Sequence, residues 1–176
     1  MQNLAASGLA PTGSLSQGDL GVRRACPIDA PALAALFSEM QCHYGRPVPD
    51  ATAAEAAALA CSPPTHAFSP RVLVALTSGQ IVGSLVMNVT FPAFELTRSL
   101  YIRDLYVTKR VRGCGVGTAL VKAGARLALS EGFSAVEWTT ETANAAARAM
   151  YESCGARRLD RTYYRLFDDT LASAAS

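Results

Sequence analysis

A chain of 176 residues with half of its side chains apolar is long enough to bury a sizeable core, and one domain is expected. Its formal charge of +2, from 16 basic and 14 acidic residues spread along the chain, excludes the polybasic footprint that nucleic acid demands. Five cysteines without a CxxC pair and two histidines give no metal-site spacing, and no run approaches the about 20 apolar residues of a membrane span; the expectation is a cytoplasmic protein with reduced thiols, no metal and no membrane.

Residues 1–20 combine Gly, Ser and Ala with scattered Leu and no periodicity, which predicts a mobile tail ahead of a domain over residues 21–168. Gly21 to Ala25 reads as a short strand. Asp29 as N-cap and Pro31 in the first turn predict a helix carrying Leu33, Leu36, Phe37, Met40 and Tyr44, stopped by Gly45 and Pro47. Asp50 is positioned to cap a second helix through Ala60. The period then changes to two: Arg71 to Leu76 and Ile81 to Met87 form a predicted hairpin around Thr77-Ser78-Gly79-Gln80, followed by a strand from Leu100 to Val107. Val116, Leu120, Ala123 and Leu127 mark a helix that ends near Gly132. A strand from Ala135 to Thr139 follows, then a helix capped by Thr140 or Thr142 and ended by Gly155, then a last strand from about Thr162 to Phe167 and a short tail over 169–176. The expected class is mixed α/β (α+β), with helices flanking a mostly antiparallel sheet in a single domain.

Between the strand ending at Val107 and the next helix stands Arg110-Val-Arg-Gly-Cys-Gly-Val-Gly-Thr118, with glycines at 113, 115 and 117. A strand, a turn short of Cβ atoms and a helix start aim successive amides outward together, which reads either as a receptor for phosphate oxygens at the positive helix end or as a tight strand-to-helix turn with no ligand. The Gly-Lys-Ser/Thr ending of the triphosphate-binding loop is absent, and Leu120 replaces the third glycine of the dinucleotide fingerprint. The ligand is expected to be a different pyrophosphate, with Arg110 and Arg112 adding charge at the rim.

Arg112-Gly113-Cys114-Gly115-Val116-Gly117 resembles the loop of the GNAT N-acetyltransferase superfamily that cradles the pyrophosphate of coenzyme A, and Asn144, Ala147, Tyr151 and Gly155 match that family's downstream motif in every spacing. Within the superfamily, Leu100 to Val107 and Tyr163 to Phe167 resemble two strands of the diamine (spermidine/spermine and thialysine) acetyltransferases. The resemblance implies the GNAT fold and acetyl-CoA as co-substrate. It further implies a small amine acceptor such as a diamine, polyamine or lysine-like amino acid, and a homodimer.

By that resemblance, the cofactor is held by Leu105, Tyr106 and Val107, by Arg112, Gly113, Cys114, Gly115, Val116, Gly117 and Thr118, and by Asn144, Ala147 and Tyr151. A backbone amide of Tyr106 or Val107 would stabilise the oxyanion, and Tyr151 would protonate the departing thiolate. Asn144 either binds the cofactor or caps the helix. Tyr44, Arg103 and Asp104 are expected on the acceptor side. Arg103 stands where the resembling strand carries Glu, so the base is open among Asp104, Glu95, Glu137, His43 and a water chain. Strand alternation points Asp104 away from Arg103's face unless a bulge intervenes. A cation at 103 opposes a multiply charged acceptor and favours one that also carries a carboxylate. The competing reading is a non-catalytic acyl-CoA sensor that has lost the base.

Overall fold

The computed structural model describes residues 20–176, so the tail expected over 1–20 lies outside the described residues except for Leu20. Five strands, β1 (Leu20–Arg24), β2 (Arg71–Thr77), β3 (Gln80–Thr90), β4 (Ser99–Val107) and β5 (Val136–Glu137), form one sheet in the order β1-β2-β3-β4-β5. Every neighbouring pair is antiparallel except β4 with β5, which run parallel. Ser78 and Gly79 join β2 to β3 with φ of 47° and 74°, the left-handed turn that matches strand twist.

Both faces of the sheet are covered, which is why β2 is almost continuously apolar rather than alternating. Leu73, Leu85, Met87 and Leu100 face α3 (Val116–Ser130), whose Val116, Leu120 and Leu127 complete that core. Val72, Val74 and Tyr106 face α1 (Ala30–His43) and α2 (Asp50–Cys61), through Leu33, Leu36 and Met40. Gly124 lets α3 lie close on the sheet: a Cβ there would come within 2.8 Å of Leu85 Cδ2.

Several expectations are corrected. Asp29 stands at the N-cap of α1 as expected, but its side chain makes no cap bond: it ends a 3-10 turn, buried, with its carboxylate accepting from Arg23 Nη1 (2.6 Å), Arg23 Nη2 (2.8 Å) and the Cys26 amide (2.9 Å). A bidentate guanidinium bond outweighs a cap. Asp50 is the first residue of α2, with Pro49 at the cap. The strand expected over 135–139 shrinks to Val136–Glu137, and the cap of α4 (Ala145–Ser153) is Asn144. The last strand is absent: residues 156–167 take no regular structure, and α5 (Asp168–Ala174) replaces the expected tail. A strand needs a ladder partner, and among the described residues the two-residue β5 pairs with β4 alone.

The Arg23 guanidinium beside Asp29 holds its carboxyl well below the usual carboxylate range, against the opposing effect of burial. A depressed carboxylate contributes stability above its unfolded pKa of about 3.9, and that contribution fades as pH falls toward the folded value. Asp29→Asn is expected to cost about 2 kcal/mol at pH 7. The difference from wild type should shrink below about pH 4 in denaturant titrations.

Candidate active site

The parallel pair β4–β5 is short. Leu100 pairs with Val136 and Tyr101 with Glu137, after which the strands part and leave β4 from Ile102 onward without a neighbour on that side among the described residues. The gap opens a cavity of about 910 Å3 that runs from the head of α3, along β4, to α4 and the end of α1.

At one end lies the glycine turn. Gly113 and Gly115 hold φ of 81° and 80°, a region side chains oppose, whereas Gly117 is helical and a Cβ there would make only ordinary contact with Met150, at 3.5 Å. The amides of Gly113, Gly115, Val116, Gly117 and Thr118 have no acceptor among the described residues, and no side chain caps α3. These donors at a helix N-terminus fit an anionic, phosphate-bearing group. Cys114 differs: it lies outside the cavity lining, and its amide donates to the Val111 carbonyl (3.3 Å) within the turn. Arg110 also leaves the rim, reaching Gln80 Oε1 at 3.2 Å.

Arg112 lines the cavity but spends its guanidinium on the protein. Nε donates to the Val107 carbonyl (2.9 Å), the group lies over the Tyr106 ring (5.4 Å to its centroid), and Nη1 sits 3.4 Å from His43 Nε2. Glu39 of α1 completes this network by accepting from Tyr106 Oη (2.9 Å), Thr108 Oγ1 (2.8 Å) and the Lys109 amide (3.4 Å). Burial favours its neutral form, but the Thr108 and Tyr106 hydroxyls, with the Lys109 amide and the Arg112 charge, win and keep it ionised. Sequence reasoning missed Glu39, although it is the sole acid in α1. Glu39→Gln is expected to loosen the turn that precedes the glycines and raise KM for acetyl-CoA about tenfold, with kcat within about threefold, in initial-rate measurements.

In α4, Asn144 Oδ1 accepts from the Ala147 amide (3.1 Å), so it caps the helix. Tyr151 packs on Trp138 with ring centroids 5.0 Å apart, and its hydroxyl has no hydrogen-bond partner among the described residues. Burial, reinforced by neighbouring Tyr44, pushes the phenol up from its ordinary value, so it stays protonated at neutral pH. Asn144, Ala147, Tyr151 and Tyr44 all line the cavity, together with Trp138 and Tyr163, which sequence reasoning did not select. Trp138 falls within the strand expected over 135–139, but β5 ends at Glu137 and Trp138 lines the cavity beyond it.

A bulge interrupts β4 between Ile102 and Asp104. Val86 opposes Asp104 while Met87 opposes Ile102, so Arg103 is the extra residue of β4. Its effect is visible in the packing. Leu100 and Ile102 face α3, but beyond the bulge Leu105 and Val107 take that face, so the parity of the strand has switched. Arg103 and Asp104 therefore share the α1 side with Tyr106, and both line the cavity. Burial pushes the Asp104 carboxyl above the usual carboxylate range, with Arg103 pulling it partly back. Of the other candidate bases, Glu95 sits in the exposed β3–β4 connection and Glu137 accepts from Ser99 Oγ (3.2 Å); neither lines the cavity. His43 does, but its Nε2 faces Arg112.

A splayed sheet with a helix head of unpaired amides at one end of a channel and a free phenol further along it is the architecture of an acyl-group transferase. The chain belongs to the acetyltransferase (GNAT) family, whose profile matches residues 33–156. It is similar to the uncharacterized N-acetyltransferase YhfO of Bacillus subtilis (strain 168), 30% identical over 77% of this chain and 89% of the relative. It also resembles a thialysine N-epsilon-acetyltransferase of Mus musculus, 33% identical over 46% of this chain and 50% of the relative. Among solved structures, an integron cassette protein from the mobile metagenome of V. cholerae superimposes with a TM-score of 0.77 at 25% identity, covering 89% of this chain and 98% of that one. An aminoglycoside acetyltransferase from an uncultured soil metagenomic sample shares the fold with a TM-score of 0.70 at 22% identity, covering 86% and 99%. The protein is thus an acetyltransferase of a family that uses acetyl-CoA. Among the described residues no helix is long and apolar enough to cross a membrane.

Proposed function

We propose that residues 21–168 form an N-acetyltransferase domain that moves an acetyl group from acetyl-CoA to a primary amine of a small molecule, by direct attack in a ternary complex. One observation carries this reading: free amides at the head of α3, an open edge of β4, the Tyr151 hydroxyl and the Asp104 carboxylate all border a single cavity. Acetyl-CoA supplies the activated thioester. The amides of Gly113, Gly115, Val116, Gly117 and Thr118 hold the diphosphate, and the open edge of β4 at Leu105 and Tyr106 pairs with the amide-bearing arm. A β4 amide at Tyr106 or Val107 receives the developing oxyanion.

Asp104 takes the proton from the incoming ammonium, and Tyr151 gives one to the departing sulfur. The sensor reading rested on Arg103 in place of a carboxylate. With Asp104 on the same face, no observation favours it. The test is amine-dependent release of free thiol from acetyl-CoA across a panel of small amines. Turnover is expected, along with thermal stabilisation worth about 2.7 kcal/mol when acetyl-CoA is at 100 times its dissociation constant. Stabilisation without turnover on any amine would defeat the proposal.

The same reading carries a homodimer. Leu159, Tyr163, Tyr164, Leu166 and Phe167 are exposed along a segment without ladder partners, and a second copy would cover them. Sedimentation is expected to give twice the 18.5 kDa chain mass.

A further inference from the structure

Arg103 and Asp104 place opposite charges side by side on one bulge, facing one cavity. The two guanidinium groups that line this cavity differ in how they are used. Arg112 is committed to the Val107 carbonyl and the Tyr106 ring, with Nη1 beside His43 Nε2. Arg103 makes no hydrogen bond, ion pair or ring contact among the described residues. Its charge acts on Asp104, and Glu141 is the other carboxylate that lines the cavity. Neither carboxylate clasps it.

An extra cation beside the proton acceptor is costly for any acceptor that brings several positive charges. It becomes useful when the acceptor brings an anion of its own. Guanidinium is shaped for this, with a rigid fork of donors that matches the two oxygens of a carboxylate. The bulge decides the matter sterically. In a regular strand residues 103 and 104 would point to opposite faces, and one acceptor would not meet both. The parity switch brings both to the α1 side, where adjacent Cα atoms are about 3.8 Å apart and the arginine is the longer arm. An amine directed at Asp104 can then have a carboxylate several bonds away directed at Arg103.

We infer that Arg103 is a specificity-determining residue that selects acceptors carrying both a primary amine and a carboxylate, that is, amino-acid-like substrates over diamines and polyamines. This inference rests on the amine-acetylation reading above and narrows it. Lysine and 1,5-diaminopentane test it, since the diamine is lysine without its carboxylate. Wild type is expected to favour lysine in kcat/KM. Arg103→Ala should lower kcat/KM for lysine about 10- to 100-fold while changing the diamine far less. Arg103→Glu should reverse the preference. Arg103→Lys, which keeps the charge but not the fork, should recover part of the loss. Because the side chain is exposed, these substitutions open no gap in the core, and the loss of its charge beside Asp104 acts on both acceptors alike, so the ratio of the two kcat/KM values is the readout.

Equal use of both acceptors, or a preference unmoved by all three variants, would overturn the inference and leave the transferase reading standing. Absence of amine-dependent thiol release from every acceptor would overturn both.

Discussion

Replacing Tyr151 with Phe is expected to lower kcat by about 100-fold or more while leaving KM for acetyl-CoA within about threefold. The phenol meets the requirements of a proton donor to a thiolate: it borders the cavity, its hydroxyl has no competing partner among the described residues, and burial with Tyr44 nearby holds its proton on. Phe keeps the ring that packs on Trp138, so the fold and the shape of the channel are preserved. General acid catalysis is worth about 10² to 10⁴ in rate, which sets the size of the loss. The wild-type kcat profile should fall only above the ordinary tyrosine value of about 10, because the phenol is shifted upward. A Phe variant with unchanged kcat would remove Tyr151 from the chemistry and reduce it to a wall of the channel.

Asp104→Asn is expected to lower kcat/KM by about 10² to 10³ near neutral pH. A carboxylate must be ionised to accept a proton, and burial raises the Asp104 value. The sign follows: wild-type kcat/KM should rise through a limb lying above the ordinary carboxylate value of about 3.9, and that limb should vanish in the variant. The acceptor amine supplies a second signature. With no base present, only free amine reacts, so the variant should gain about tenfold per pH unit until the amine's own value of about 10.4 is reached. A variant that retains the wild-type profile would return the role to water or to His43. Isosteric Asn also separates loss of the base from collapse of the bulge.

The glycine turn and the motif ending at Gly155 were legible because each depends on residues close in sequence. Positive φ at positions 113 and 115 is a local demand, and the helical spacing of Asn144, Ala147 and Tyr151 puts three side chains along one channel wall without help from elsewhere. Asn144, Tyr151 and all the loop positions selected from sequence except Cys114 line the cavity. The hairpin was legible for the same reason, its turn residues and alternating strands being neighbours.

Glu39 was not legible, because its partners Tyr106 and Thr108 lie more than sixty residues away and nothing in α1 announces them. The final strand is an expectation from local residues, yet a local stretch cannot supply a ladder partner, and the segment over 156–167 pairs with no strand among the described residues. Alternation in β4 likewise predicted faces correctly only up to Ile102.

The amino-acid sequence alone determined the family, the glycine turn and the position of the phenol, since each is written in short-range spacing that the backbone obeys locally. Only the tertiary structure decided that Arg103 and Asp104 face the same way. A bulge is a mismatch between two strands, and its position depends on the register of β3 against β4, a property that neither strand carries by itself.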